Sequence, residues 1–489
     1  MDSLHKQPLK RGLINLPGAT PASTALVEEL MYKDVTEHHC FFNDQYFHNH
    51  LAHHILTLHD LGAPAESIQK FYDQEAAIQR PLHHHDATKS AKQANGITKE
   101  NWREYLGEVN AHMYPDYLAF FSSEIEAHGV ARTLEKYVFS PEANGNGTMM
   151  LGRFVGGLLH PMIEVGFGIE FGQDGLVAEG LAQGALTTAE CAAVMDMPAG
   201  VPEIKTGPSR TLLSLLREVY DSPELTPLPY SKEPISFEKF TKWLPSHPAF
   251  PAKVRQIYSA WTFDDFSAAE IDSKLEECMW QATLLLGATS KEGRKPRMDF
   301  FMMHFLTGSL LMRVVLDKLG ELKRPIYQAQ LLQTFARSMA VFVFLRGRPV
   351  VDCNVVMGYS ANPGAGIKKE LVNGTSKGAE SVLNLGNPWL PILDNAALHP
   401  EAHVVKAIRS LFYCAQHFGG RAAGKVIGAV DVDGERKEMH PGVAKLDGTL
   451  FIRVAGALCD ALGWVTRGEK DRFWDFRGGW EEAWAEADD

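Results

Sequence analysis

Apolar residues recur at spacings of three and four along most of this chain, the period of a helix that buries one face. The pattern is plain in 23–35 (STALVEELMYKDV), 50–62 (HLAHHILTLHDLG), 66–79, 115–129, 272–287, 298–320 and 330–347. Several of these segments stop at glycine, at Gly62, Gly129, Gly287, Gly320 and Gly347, the residue that most readily closes a helix. Strand signals are sparse, and VVDCNVVMG at 350–358 is the best of them. The pattern predicts an all-α protein, a large multi-helix enzyme with little or no sheet. Polar or Gly/Pro-rich breaks fall at 81–96, 140–147, 222–234 and 360–374, and the proline-rich 222–234 is the expected seam between two helical halves. No repeat of fixed period is present.

Composition narrows the class. With 489 residues, 45% of them hydrophobic, the chain can bury a large core. Its net charge of −12 and lack of Lys/Arg clusters argue against nucleic acid. The apolar run 339–345 is too short for a membrane span and is followed by Arg346, so no membrane is expected. The start, MDSLHKQPLKRG, has no secretory pattern, and cytoplasm is the default. Cys40, Cys191, Cys278, Cys353, Cys414 and Cys459 form no CxxC pair and suit a reducing compartment.

Candidate chemistry lies in the histidines. His50 in FHNHLAHHIL, His160 in GGLLHPMIEVG, His304 in FFMMHFLTGSL and His403 in HPEAHVVKAIR stand in apolar, helical surroundings. A single histidine on a helix is more often a hydrogen-bonded core residue than a ligand. Several buried imidazoles on different helices must satisfy both ring nitrogens, and convergence on a metal between the helices does so. His50 and His54 lie four residues apart on one side of their helix, and one of the two points inward. Pro161 places His160 at a helix start or kink. His304 has the most apolar setting, and His403 follows His399 by one turn. The run His83, His84, His85 reads as solvated surface.

Familiar motifs are missing. There is no HExxH, no calcium loop, no GxGxxG after a strand and no GxxxxGK[ST]. Bound flavin, NAD(P)H or ATP is not indicated.

The blocks HNHLAHHILTLHDLGA, MLGRFVGGLLHPMIEVGFGIEFGQDGLVAEGLAQGAL, MMHFLTGSLLMRVV and EAHVVKAIRSL together resemble the questin oxidase-like family of fungal polyketide pathways. The resemblance spans nearly the whole chain, 1–489, as one catalytic domain, and is strongest toward members that open the central ring of anthraquinones with dioxygen. It implies a non-haem Fe(II) dioxygenase whose metal is held by His50, His160, His304 and His403. The substrate it implies is an anthraquinone or its hydroquinone, and the product a benzophenone-type compound. Four neutral imidazoles leave the ion its full charge, and oxygen-activating iron usually has an anionic ligand. The family allows a carboxylated lysine there. Lys377 in NGTSKGAES is chosen over Lys368, Lys369 and Lys406, with Glu164, Glu170 or Glu179 as carboxylate alternatives. A flat polyphenol calls for an apolar slot with a few polar anchors. Phe301, Trp389 and Asp394 are the candidates, with Phe167, Phe305 and Asn395 behind them. The rival readings are a Baeyer-Villiger-type monooxygenase using NADPH through a partner, a zinc hydrolase, and a non-catalytic helical scaffold.

Overall fold

A computed structural model describes residues 6–82, 96–232, 237–363, 386–429 and 438–485. Its longer helices are α1 (Pro21–Glu37), α2 (Leu51–Asp60), α3 (Ala65–Ala76), α4 (Tyr114–His128), α5 (His160–Phe171), α6 (Asp174–Leu186) and α7 (Leu212–Asp221). There follow α8 (Ala249–Tyr258), α9 (Ala268–Gly287), α10 (Phe300–Gly320), α11 (Pro325–Leu345), α12 (Ala402–Phe418) and α13 (Leu450–Leu462). Among the described residues β-structure is limited to isolated bridges such as Phe41 with His48 and Asp299 with Asp475. The protein is all-α. Lys377, Lys368, Lys369 and the run His83 to His85 lie outside the described residues.

The strand expected at 350–358 is instead a loop leading into a short helix, Cys353–Gly358. The Asp352 side chain accepts from Asn354 N at 2.8 Å and starts the helical turn. Alternation without a partner strand has no ladder to join.

Helix α10 is the centre of the packing. It touches α5, α9, α11 and α12, and α12 in turn packs on α2. Among the described residues it alone is long and apolar enough to cross a membrane, yet 78% of that stretch is buried inside the protein. Its apolar surface is therefore the core itself. Two glycines let α5 and α10 approach closely: a Cβ at Gly166 would lie 2.6 Å from Leu311 Cβ, and one at Gly308 would lie 2.6 Å from Leu159 Cδ1. All six cysteines are free and buried.

Helix starts position the histidines. Asp299 caps α10 by accepting from Phe301 N and Met302 N, and Glu401 caps α12 by accepting from His403 N and Val404 N. His304 lies in the second turn of α10, His403 in the first turn of α12, His160 at the first residue of α5, and His50 at the N-cap of α2.

Candidate metal centre

His50, His160 and His403 come together from α2, α5 and α12, each offering a ring nitrogen within 4.8 Å of the others. His50 Nε2 and His160 Nε2 face each other at 2.9 Å. His304 stands beside this trio, its ring centroid 5.0 Å from those of His160 and His403, although its nitrogen lies outside the 4.8 Å group. His54 turns away: its Nδ1 bonds Glu75 on α3 and its ring stacks on Phe71. Of the two histidines four residues apart at the start of α2, His50 and not His54 is brought to His160 and His403.

The approach to His160 is strained. Leu158 (φ 57°) and Leu159 (φ 68°) are both left-handed, at a cost of about 1 to 3 kcal/mol each. Gly157 shares that conformation, and a Cβ on it would fall 2.7 Å from His48 Cε1. His48 in turn stacks face to face on His160, centroids 4.2 Å apart, and fixes the plane of that ring.

Three of the four rings are oriented from behind. His160 Nδ1 donates to Gly157 O at 2.5 Å, His304 Nδ1 to Phe300 O at 2.8 Å, and His403 Nδ1 to the Glu401 carboxylate at 2.6 Å. These bonds put the ring proton on Nδ1 and leave Nε2 with its lone pair. His304 Nε2 and His403 Nε2 are buried with no hydrogen-bond partner among the described residues. Buried nitrogen lone pairs of this kind cost free energy unless something accepts them. Burial, reinforced by neighbouring imidazoles and Lys406, pushes His50, His160 and His304 well below the ordinary imidazole range and lowers His403 also. All are neutral at pH 7, the form that binds a metal.

Glu401 carries two duties, capping α12 and orienting His403, and its other oxygen accepts from Trp474 Nε1 at 2.7 Å. Burial would raise its pKa, but His403 and these donors hold it below the usual carboxylate range. A carboxylate behind a ligating histidine fixes tautomer and basicity. Glu401→Gln is expected to weaken metal binding about 10- to 100-fold with the fold intact, read by chelator competition.

The family model described as questin oxidase-like matches residues 47–411, a span that contains all four histidines. The chain belongs to the questin oxidase-like family. It is 26% identical to a questin oxidase of Aspergillus fumigatus over 96% of this chain and 94% of that protein. With Baeyer-Villiger oxidase AgnL3 of Paecilomyces divaricatus it shares 25% identity over 98% of this chain and 94% of that one. Oxidoreductase AflY of Aspergillus parasiticus is 35% identical over 32% of this chain and 30% of its own length. This questin oxidase-like chain is an oxidoreductase.

The remaining expected residues are dispersed. Glu164 is buried and contacts His53, whereas Glu170 belongs to an ion-pair network with Arg409, and Glu179 lies with Glu164 around a small cavity. Phe300, not Phe301, is the ring against His304 and His403, at 4.8 and 4.9 Å between centroids. Phe301 instead lies under the Arg346 guanidinium. Trp389 packs on Phe412. That contact lies nine residues beyond His403, about 13 Å along α12 at the helical rise, so Trp389 is not a wall of the centre. Asp394, on the same short helix as Trp389, is exposed, and Asn395 bonds Gly463 O. Phe305 is core packing against Phe335 and Phe342, and Phe167 stacks on His53. Sequence reasoning passes over Glu401, His48 and His53. The signals were present: Glu401 precedes His403 in E-A-H at a helix start, and His53 adjoins the weighed His54.

Proposed function

We propose that the chain is a non-haem iron dioxygenase in which His50, His160, His304 and His403 hold Fe(II), and that it cleaves a carbon–carbon bond of the central ring of a reduced anthraquinone. The product would be a benzophenone-type compound, in fungal polyketide metabolism. The observation that carries this reading is the trio of neutral imidazole nitrogens within 4.8 Å, backed by Nδ1 bonds that direct Nε2 lone pairs inward. Neutral imidazoles suit iron, zinc and copper alike, and the donor set fits. Bound iron supplies the one-electron chemistry by which dioxygen reacts with an organic molecule. Relatives named questin oxidase and Baeyer-Villiger oxidase favour oxygen chemistry over a zinc hydrolase.

The chain's own residues set the charge and the shape. Four helix starts converge on the centre, so their N-terminal dipoles favour an anion beside the metal. Lys406, 1% exposed on α12, adds to that field and acts on His50, His160, His304 and His403. A phenolate oxygen, or carboxylated Lys377 as the family resemblance implies, meets this demand. Phe300 offers the rings of His304 and His403 a flat neighbour, and Phe476 extends that aromatic surface at 5.1 Å.

A single turnover of chemically reduced 1,8-dihydroxyanthraquinone under labelled dioxygen tests the reading by mass spectrometry. Both oxygen atoms in the ring-opened product are expected, without NADPH. One labelled atom with an NADPH requirement would favour the Baeyer-Villiger alternative. Activity without dioxygen would favour a hydrolase.

A further inference from the structure

We propose that Glu190 is a positioning residue of the histidine centre: its carboxyl holds Gly157, and Gly157 in turn fixes the ring of His160. Its use to the protein rests on the metal centre of the proposed function, but its geometry does not.

Gly157 (φ 53°), Leu158 and Leu159 stand in a row before α5, all with left-handed torsions. Only the first is glycine, so the turn relaxes unless its surroundings hold it. Gly157 is where it is held. Its N–H donates to Glu190 Oε2 at 3.0 Å, and its carbonyl accepts from His160 Nδ1. Two backbone bonds of a residue without a Cβ separate that donor from that acceptor, so whatever fixes one limits the other.

The anchor is itself tied down. Glu190 follows the end of α6 closely, and Arg153, on the short helix Met150–Phe154, donates to Thr187 O at 2.7 Å and to Thr148 O at 2.9 Å. The helix that leads into the Gly157 turn is thereby fastened to the segment that carries Glu190. The two segments touch directly as well: a Cβ at Gly156 would collide with Thr188 O, and one at Gly157 would lie 3.2 Å from Thr187 Cγ2.

Glu401 bonds the ring of His403 itself, whereas Glu190 reaches His160 through one residue of backbone. The consequence for the ring is the same. The bond to Gly157 O keeps the His160 proton on Nδ1 and leaves the Nε2 lone pair for a metal. With Glu190 removed, Gly157 can turn its carbonyl away, and the ring then populates the tautomer whose Nε2 carries the proton. Burial, then the Glu108 carboxylate, pushes Glu190 up to about 8, against the pull of the Gly157 N–H. The group is mostly neutral at pH 7, so glutamine copies its acceptor oxygen, its length and its charge.

Nitrogen NMR of the metal-free protein with labelled histidine reads the ring directly, the His160 signals being assigned by their loss in His160→Ala. Wild type and Glu190→Gln are expected to show one His160 tautomer, protonated at Nδ1. Glu190→Ala, and Glu190→Leu, which refills the space without an acceptor, should show a mixture of tautomers. Zinc affinity by chelator competition should fall about 10-fold in the alanine and leucine variants and match wild type in Glu190→Gln. A wild-type His160 protonated at Nε2 overturns the inference without any variant. So does a His160 spectrum unchanged in Glu190→Ala and Glu190→Leu, or a glutamine variant as impaired as alanine. A wild-type protein that binds no metal while the NMR results hold would remove the proposed function and leave the role of Glu190 in holding the ring.

Discussion

His160→Ala is expected to lose stoichiometric metal and turnover while keeping its helical fold. Its nitrogen is one of three that lie within 4.8 Å of one another, and it faces His50 Nε2 at 2.9 Å. A ligand in a four-donor site contributes roughly 3 kcal/mol of binding, so removing it weakens metal affinity by more than about 100-fold. The fold has little to lose, because Pro161 still starts α5 and the forfeited bond to Gly157 O is worth about 1 kcal/mol. His54→Ala is the matched control: its ring is tied to Glu75 and Phe71, and the metal should stay. Metal content after dialysis, with circular dichroism for the fold, checks both. Wild-type metal in His160→Ala would remove it from the ligand set.

Arg409→Met should destabilise the protein by about 3 to 5 kcal/mol, because it strands two buried carboxylates. Arg409, on α12, donates to Asp60 Oδ2 at 2.8 Å and to Glu170, with all three side chains within 2% of full burial. Asp60 and Glu170 also accept from Leu13 N, Ile14 N and Asn15 N, so the N-terminal segment hangs on the same network. Burial already raises Glu170 above the ordinary carboxylate value, and Arg409 opposes that rise. Without the guanidinium, the folded state holds the Glu170 proton more tightly still. The penalty is therefore slight below about pH 4, where the unfolded chain is protonated too, and grows as pH rises. Urea unfolding at pH 5 and pH 8 should show the larger loss at pH 8. Equal losses would mean that Glu170 is not the group left unpaired.

Periodicity made the helices legible, because each long helix must bury one face against the others. The same rule made His304 conspicuous, since an imidazole between Met303 and Phe305 has no apolar reason to be there. Which of His50 and His54 turns inward depends on where α2 begins, and His50 is its N-cap, a boundary that spacing does not fix. Leu158 and Leu159 hide the strained entry to α5, because leucine carries no mark of a left-handed conformation. Trp474 and Phe476 reach the centre through long-range packing, against Glu401 and Phe300, from a segment whose local pattern says nothing of a site. Trp389 and Asp394 illustrate the converse: they lie on a short helix, Trp389–Ala397, where Trp389 packs on Phe412 toward the far end of α12 and Asp394 is exposed.

Elemental analysis of the protein purified without added metal or chelator tests the histidine centre most directly. About one iron per chain is expected, falling away in His160→Ala and remaining in His54→Ala. A protein that holds no metal, even after anaerobic reconstitution with Fe(II), would contradict the central claim.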